Sequence, residues 1–243
     1  MSTTPHVLIG IPVFNEARYV AAVLGEVRRY TSDILVVDDG STDATPHLLA
    51  DHDVEVIRHP HNRGYGHSMQ DMLRRADRDG YEWLITMDCD LQHEPAAIPD
   101  FVQVVQQGNV DVVSGSRYLQ LLCGADRPPA DRRSINAAMT RLINERLGLS
   151  LTDAFCGFKA YRTAACAPLE LDVDGYDFPM QFWVQAARHG LRIQEIPVRL
   201  IYNDPDRSFG GPLDDPENRR AVYEATFHRA LLRAGSCDVL VRG

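Results

Sequence analysis

The first half of the chain alternates between short apolar runs and longer amphipathic segments. Strands are predicted over residues 7–11, 34–37, 54–58, 83–87 and 111–116. Helices are predicted over residues 17–30, 64–76 and 95–105, with one more that Ser41 or Thr42 caps. Repeated strand–helix units favour parallel pairing, and strands with almost no polar residues are covered on both faces. The pattern therefore predicts an α/β fold with a mainly parallel central sheet and helices on both faces.

The second half keeps the same kinds of element but loses the regular spacing. Polar loops rich in proline and glycine are predicted over residues 121–133 and 203–216. Helices are predicted over residues 134–147, 178–188 and 217–234, and strands over 155–161 and 191–200. Because no internal repeat or low-complexity linker interrupts the chain, residues 1–243 are expected to form a single domain.

Charge and cysteine usage exclude several classes of protein. The net charge of −9 argues against a nucleic-acid partner and against general attraction to anionic lipid. No signal peptide is visible, and no apolar run approaches the roughly 20 residues of a membrane-spanning helix. The five cysteines are scattered without a C-x-x-C pair, which favours reduced thiols and a cytoplasmic location.

A pair of carboxylates follows the most apolar of the later strands. Asp88 and Asp90 are one residue apart, so on an extended chain their side chains point to the same side, and Gln92 lies one alternation further on. Oxygen donors of this kind suit Mg²⁺ or Mn²⁺ carrying a substrate diphosphate. An Asp-x-Asp pair by itself is weak evidence, since most such pairs are solvated turns.

Three other polar segments also follow predicted strands, where open α/β sheets bind their ligands. The first, residues 11–16, combines Pro12 with Glu16; the second, residues 38–43, begins with two aspartates; the third contains Asn62, Arg63 and Gly64. Each has a simpler interpretation as a rigid loop or a helix cap. The third is not a G-x-G-x-x-G motif, so it does not indicate a dinucleotide fold.

In this order, Pro-x-Phe-Asn-Glu, Asp-Asp-Gly-Ser, Asn-Arg-Gly and Asp-x-Asp resemble the family-2 glycosyltransferases of the GT-A fold. Residues 114–118 (Ser-Gly-Ser-Arg-Tyr) look like a segment of the dolichyl- and polyprenyl-phosphate mannose or glucose synthases, and residues 153–162, 175–178 and 195–198 match in order. The resemblance covers about residues 6–210. It implies one GT-A (Rossmann-like) domain with a nucleotide-binding half at about residues 6–118 and an acceptor-side half at about 119–243.

The resemblance also implies roles for individual residues. The nucleoside would be held by Pro12, Phe14, Glu16, Val37 and Asp39. The diphosphate and metal would meet Asp88, the backbone of Cys89 and Asp90, with Gln92 as a further metal ligand. Arg117 would approach a phosphate, and Arg207 and Arg133 are placed like the family's acceptor-side basic residues.

The activity implied is inverting, metal-dependent transfer of a sugar from a nucleoside-diphosphate sugar, of GDP-mannose or UDP-glucose type, to a polyprenyl-phosphate-like acceptor. Two departures bear on that acceptor: no lysine follows Arg207, and Gln181 stands where a glutamate is usual. An anionic phosphate acceptor needs no general base, whereas a hydroxyl acceptor would need one, with Asp177 or Asp153 as the candidates. The alternatives are transfer to a soluble or other hydroxyl acceptor, a nucleotidyltransferase, and a sugar-nucleotide-binding protein without catalysis.

A lipid acceptor would place the protein at the inner face of the membrane as a peripheral enzyme. The apolar residues at 119–122 are candidates for contact with the bilayer. The segment His59-Pro60-His61 is predicted to be a surface turn and not a metal site, whereas His93 adjoins the predicted metal ligands. The sequence carries no indication of oligomeric state.

Overall fold

Seven strands form one sheet in the part of the chain that a computed structural model describes, residues 5–120, 122–202 and 210–235. The strands are β1 (Val7–Val13), β2 (Ile34–Asp38), β3 (Glu55–Arg58), β4 (Trp83–Thr86), β5 (Val112–Ser116), β6 (Lys159–Arg162) and β7 (Ile193–Pro197). Their order across the sheet is β3-β2-β1-β4-β6-β5-β7. All neighbours pair in parallel except β6, which is antiparallel to both β4 and β5.

Helices cover both faces of the sheet, as predicted. They are α1 (Val20–Val27), α2 (Thr45–Ala50), α3 (Tyr65–Arg78), α4 (Ile98–Gln106), α5 (Ala130–Leu147), α6 (Thr163–Cys166), α7 (Phe178–Arg188) and α8 (Pro216–Arg233), with 3-10 turns at Pro95–Ala97 and Gly211–Asp214. Successive strand residues enter opposite cores, so Leu8 packs with α3, α5, α7 and α8, whereas Ile9 packs with α1, α2 and α4. The predicted α/β architecture is therefore confirmed.

Two element boundaries differ from the sequence prediction in ways that affect the site. Helix α5 begins at Ala130 and not at residue 134, because Pro129 occupies the position before the first turn, where a missing N–H is tolerated. Strand β6 begins at Lys159 and not at residue 155, so the preceding residues form a loop. Both differences bring additional side chains to the edge where β1, β2 and β4 end.

Both halves of the chain, as divided in the sequence analysis, contribute strands to the one sheet. Strands β1 to β5 come from residues 6–118, and β6 and β7 come from the remainder. Within the described ranges, no helix has the length and apolar content needed to span a bilayer. The cysteines of those ranges, Cys89, Cys123, Cys156 and Cys166, are free thiols.

Candidate active site

A cavity of about 800 Å³ opens at the edge of the sheet where the parallel strands end. Its walls include the loops after β1, β2, β4 and β5, together with residues of α5 and α8. The reversed strand β6 contributes its first residue, because Thr86 at the end of β4 pairs with Lys159 at the start of β6. The predicted residues that line the cavity are Pro12, Phe14, Glu16, Asp39, Asp88, Cys89, Asp90, Gln92 and Arg117.

The loops after β1 and β2 are tied together by Asn15. Its backbone has a positive φ of 57°, which asparagine tolerates better than most residues. Its amide N–H donates to Ser41 Oγ at 2.9 Å, and its side-chain oxygen accepts from the Thr42 N–H at 2.8 Å. Ser41 and Thr42 are thus engaged with Asn15, and α2 has no side-chain cap, so the capping prediction is wrong.

Asp39 organises the third predicted loop. Its carboxylate accepts the backbone N–H groups of Arg63 and Gly64, both at 2.8 Å, and lies 2.6 Å from His59 Nδ1. Gly64 has φ 106°, and a Cβ there would lie 2.3 Å from the Asp174 carbonyl oxygen, so this turn requires glycine. His59 is buried, which makes the prediction of a surface turn wrong for this residue.

Val37 does not line the cavity. Its side chain is fully buried in the core beneath α3 and α5, on the opposite side of the backbone from Val36. A nucleoside contact through this side chain is therefore ruled out in this arrangement. The resemblance implied a nucleoside contact for Val37, and the alternation of the strand turns its side chain into the core.

The Asp88–Gln92 segment lines the cavity, but its backbone conformation differs from the extended one that was predicted. Strand β4 ends at Thr86, so the segment is not an extended continuation with its side chains alternating. Leu91 has a positive φ of 59°, a strained conformation for this residue type, and the Gln92 N–H donates to Asp90 Oδ1 at 3.0 Å. This tight turn brings Asp88, Asp90 and Gln92 to the same wall.

His93 holds the backbone of this segment. Its Nδ1 accepts the Asp88 N–H at 3.0 Å, so the remaining ring nitrogen, Nε2, carries the proton and faces Cys156 Sγ at 3.8 Å. Burial lowers the pKa of His93 to about 4, and the imidazole is neutral near pH 7. His93 therefore holds the loop in place by accepting a hydrogen bond as an uncharged imidazole.

The donor atoms of this wall fit a hard divalent cation. Asp88 and Asp90 offer carboxylate oxygens and Gln92 offers an amide oxygen, the ligand types that Mg²⁺ and Mn²⁺ prefer. Asp88 is about one-third exposed toward the cavity, while Asp90 is buried. A Cβ on Gly157 would lie 2.8 Å from both carboxylate oxygens of Asp88, so the neighbouring loop packs closely around this carboxylate.

Arg117 is held in the cavity wall by Asp153. The guanidinium donates to the two carboxylate oxygens at 2.7 and 3.0 Å, and Asn136 adds a further donor at 2.8 Å. Burial alone would raise the pKa of Asp153, but the attraction and hydrogen bonds of Arg117 hold it well below its usual range. Asp153 is therefore a fixed counter-ion, and the suggestion that it acts as a general base is wrong.

The other predicted acceptor-side residues lie elsewhere. Asp177 does not line the cavity, and its Oδ2 accepts a hydrogen bond from Thr226 Oγ1 at 2.6 Å on α8. Arg133 stacks 3.8 Å from the ring centre of Tyr118 and is also absent from the cavity wall. Arg207 lies outside the described residues. The side-chain amide of Gln181 forms hydrogen bonds with Asp172 in the adjacent loop.

Lys159 is a site residue that the sequence interpretation missed. It is the only lysine of the chain, is 3% exposed, and donates from Nζ to the Cys156 carbonyl oxygen. Burial lowers its pKa. Its position at the cavity wall follows from the reversal of β6, which a four-residue strand does not reveal in sequence. The one sequence feature that could have drawn attention to Lys159 is that it is the single lysine among 25 lysine and arginine residues.

The acidic and basic residues of the cavity wall come largely from different parts of the chain. The lining carboxylates, Glu16, Asp39, Asp88 and Asp90, all follow β1, β2 or β4. Three of the five lining cations, Arg132, Lys159 and Arg219, come from the later chain, and the other two are Arg18 and Arg117. Arg132 and Arg219 were not predicted; they reach the wall because α5 starts early and because α8 packs beside it. The cavity wall therefore offers ligands for a cation and positive charges for an anion.

The comparisons with known proteins agree with this arrangement. The sequence model of glycosyl transferase family 2 matches residues 8–169. The chain is 32% identical over 207 residues to the undecaprenyl-phosphate mannosyltransferase of Micrococcus luteus, covering 80% of this chain and 83% of that protein. It is 30% identical to the polyprenol monophosphomannose synthase of Mycolicibacterium smegmatis, covering 80% and 77%.

A solved structure supports the fold. Glucosyl-3-phosphoglycerate synthase from Mycobacterium tuberculosis, determined with Mn²⁺, UDP and glucosyl-3-phosphoglycerate, superposes with a TM-score of 0.72 at 18% identity, covering 96% of this chain and 81% of that one. The resemblance found in the motifs is thus confirmed by the family match, by relatives and by fold. This chain belongs to glycosyl transferase family 2 and is a glycosyltransferase.

Proposed function

We propose that this enzyme transfers a hexose from a nucleoside-diphosphate sugar to a polyprenyl-phosphate-like acceptor, with inversion at the anomeric carbon. The observation that carries the proposal is that one cavity is lined both by carboxylates and by cations. The carboxylates follow β1, β2 and β4, and the later chain adds Arg132, Lys159 and Arg219. The carboxylates suit the metal of a donor diphosphate, and the cations suit an anionic acceptor.

The donor side contains the groups that a sugar nucleotide requires. Phe14 is 43% exposed at the cavity, where its ring can stack on a base, and Glu16 and Asp39 offer acceptors for base or ribose donors. Asp88, Asp90 and Gln92 would hold Mg²⁺ or Mn²⁺. When bound, the cation neutralises charge on the diphosphate leaving group. Arg117, fixed by Asp153, adds a positioned positive charge for the same purpose.

The acceptor side favours a phosphate over a hydroxyl. A phosphate oxygen is already anionic near neutral pH, so its attack on the anomeric carbon needs no general base. The described residues that line the cavity include no carboxylate on this side, and neither Asp153 nor Asp177 is placed to act as a base. Lys159 and Arg219 are buried cations of the cavity wall, and Arg219 is positioned by its ion pair with Asp131 at 2.7 Å; both can hold the acceptor phosphate while it attacks.

The relatives support the same acceptor class. The proteins from Micrococcus luteus and Mycolicibacterium smegmatis are named for undecaprenyl phosphate and polyprenol, and the distant structural neighbour was determined with Mn²⁺ and UDP. A lipid acceptor would make this enzyme peripheral at the cytoplasmic membrane face. Leu119, 44% exposed just after β5, is an apolar side chain available for that contact.

A transfer assay tests the proposal directly. Labelled GDP-mannose and UDP-glucose are each incubated with undecaprenyl phosphate, with undecaprenol, and with soluble hydroxyl acceptors, in the presence of Mn²⁺. We expect label in the lipid fraction only with the phosphorylated lipid, and a product of inverted configuration by NMR. Transfer to undecaprenol or a soluble hydroxyl in preference to the phosphate would overturn the acceptor assignment. Metal-dependent nucleotide binding without transfer to any acceptor would instead indicate a binding protein.

A further inference from the structure

A second group of metal-ligating side chains lies behind the wall that carries Asp39. His59 follows β3, and His67 and Asp71 lie four residues apart on one face of α3. The two histidines are buried and Asp71 is about one-fifth exposed. Their nearest ligand atoms lie within 4.8 Å of one another. This group shares no residue with the oxygen-donor set of Asp88, Asp90 and Gln92.

The two imidazoles are oriented in the way that metal-binding histidines usually are. His59 Nδ1 lies 2.6 Å from Asp39 Oδ1, and His67 Nδ1 lies 2.9 Å from Asp174 Oδ1. Ligating histidines almost always donate the non-coordinating N–H to a carboxylate or carbonyl oxygen, which fixes the ring and leaves the other nitrogen as a ligand. Both remaining Nε2 atoms face the same Asp71 Oδ2, at 2.8 and 3.6 Å.

Arg74 Nη2 donates to Asp71 Oδ1 at 2.6 Å, but the contact of the two rings with Asp71 Oδ2 needs a positive charge of its own. With Nδ1–H donated to a carboxylate, a neutral imidazole presents a lone pair at Nε2, and a lone pair opposite a carboxylate oxygen is repulsive. Either a proton on Nε2 or a cation held between the groups removes the repulsion. A metal satisfies both histidines and Asp71 at once, whereas protonation would place additional charge on each buried ring separately.

The ligand types and spacings select the class of metal. Imidazole nitrogen suits Zn²⁺ and similar transition metals better than Mg²⁺. Tetrahedral Zn²⁺, with bonds of about 2.0–2.1 Å, places its ligand atoms about 3.3 Å apart. The Nε2–Oδ2 distances of 2.8 and 3.6 Å lie on either side of that spacing.

We propose that His59, His67 and Asp71 form a transition-metal site of the Zn²⁺ class, separate from the Mg²⁺ or Mn²⁺ site of the cavity. It would have a structural role. Through the two Nδ1 contacts, the bound ion fixes Asp39 on one side and the loop containing Asp174 on the other. Both residues adjoin the cavity, because Asp39 and Gly175 line it.

Zinc titration of the chelator-treated protein tests the proposal. The full chain carrying Asp90→Asn is titrated calorimetrically with ZnCl₂ in excess Mg²⁺, so that the oxygen-donor site does not contribute. We expect one equivalent of tightly bound Zn²⁺. His67→Gln should abolish this binding, and Asp174→Asn should weaken it by about 10- to 100-fold as an outer-shell change. The matched control is His61→Gln, at an exposed histidine two residues from His59, which should bind as the parent does.

A measurement on the wild-type chain covers the case in which His67→Gln does not fold. Co²⁺ added to the chelator-treated protein should give the intense visible absorption of a tetrahedral site, and one equivalent of Zn²⁺ should remove it, whereas excess Mg²⁺ should not. Absence of a stoichiometric Zn²⁺ site, or Zn²⁺ binding that persists in folded His67→Gln, would overturn the proposal. Because the readouts are metal content and spectra, they are independent of the proposed sugar transfer.

Discussion

Asp153 holds Arg117 by a two-point ion pair, with Nε and Nη2 of the guanidinium 2.7 and 3.0 Å from the two carboxylate oxygens. The carboxylate is fully buried and the guanidinium is 18% exposed at the cavity. The geometry prevents the arginine from rotating, so its charge is already in place before a substrate arrives. Asp153 therefore acts as a positioning residue through Arg117.

Asp153→Asn should reduce both stability and transfer. Removing one partner of a buried pair leaves the other charge uncompensated, at a cost of about 3 kcal/mol in the free energy of unfolding. Urea denaturation measures this cost, and steady-state assays below the unfolding range should show a lower kcat. Asp111→Asn is the control, because Asp111 makes the same two-point pair with half-exposed Arg192 at 2.9 and 3.0 Å. That change should destabilise the protein less, since Arg192 stays solvated, and should leave transfer intact; equal effects of the two substitutions would contradict the assigned role.

Asp90→Asn should abolish metal-dependent transfer while the fold is retained. The substitution removes one charged oxygen ligand, and loss of charge stabilisation at the leaving group should lower kcat by at least about 100-fold. Calorimetry of Mn²⁺ with a nucleoside diphosphate should show a matching loss of affinity. Asp100→Asn, an exposed change in the first turn of α4, serves as the control. Normal turnover by Asp90→Asn with an unchanged circular dichroism spectrum would remove the basis for the metal site.

Gly157→Ala should weaken Mn²⁺ binding without replacing a ligand residue. The added Cβ would lie 2.8 Å from both Asp88 carboxylate oxygens, closer than such contacts occur, so the carboxylate must move. Mn²⁺ titration followed by electron paramagnetic resonance measures the change. Gly25→Ala in α1 meets no atom within 4 Å and should leave Mn²⁺ affinity unchanged while raising stability by up to about 1 kcal/mol. Unaltered Mn²⁺ affinity in Gly157→Ala would place the metal away from Asp88.

Lys159→Met should lower transfer to a phosphate acceptor without lowering stability. The substitution removes a buried charge but keeps the length of the side chain, and losing an electrostatic contact to the reacting phosphate should reduce kcat/KM by about 100-fold. Arg162→Met, at the opposite end of β6 and away from the cavity, is the matched control. Since Lys159 is the only lysine, amine-selective labelling reports on it and the N-terminus alone, and donor plus acceptor should protect it. Full activity in Lys159→Met would assign this lysine a packing role.

The metal-free protein should lose stability between about pH 6.5 and pH 4. Burial lowers the pKa of His93 to about 4 in the folded state from 6.5, so the unfolded chain takes up the proton first as the pH falls. The contribution of His93 to the free energy of unfolding is fully present above pH 6.5. It declines by at most about 1.4 kcal/mol per pH unit as the pH falls from 6.5 to 4. Urea denaturation at several pH values measures this slope. It should be shallower in His93→Asn and unchanged in His61→Gln; identical slopes in all three proteins would show that another group controls it.

Much of the sheet and one wall of the site follow from the sequence. The apolar runs before Asp39 and Asp88 are strands because only buried strands are so uniformly apolar, and their polar ends lie at one edge because the strands are parallel. That reasoning located the loops correctly. The Val37 contact was implied by the resemblance alone, and its side chain lies in the core because the side of a buried strand on which a residue lies depends on register.

The other wall could not be predicted in the same way. The direction of β6 is set by packing between β4 and β5, and the four residues Lys159–Arg162 carry no local signal for it. The resemblance implied Arg133, whereas the sequence indicates a loop over Pro128 and Pro129 and helix α5 starts directly after them. One residue along a helix turns a side chain by about 100°, so Arg133 stacks on Tyr118 while Arg132 lines the cavity.

The reversed strand β6 has a consequence for protein engineering. A chimaera that joins residues 6–118 of this chain to the later part of a relative would appear to exchange only acceptor recognition. Lys159 and the Gly157 loop packed against Asp88 would be exchanged too, since both belong to the transplanted part. Such hybrids should therefore change their metal affinity along with their acceptor, and donor and acceptor preference are inherited together across that junction.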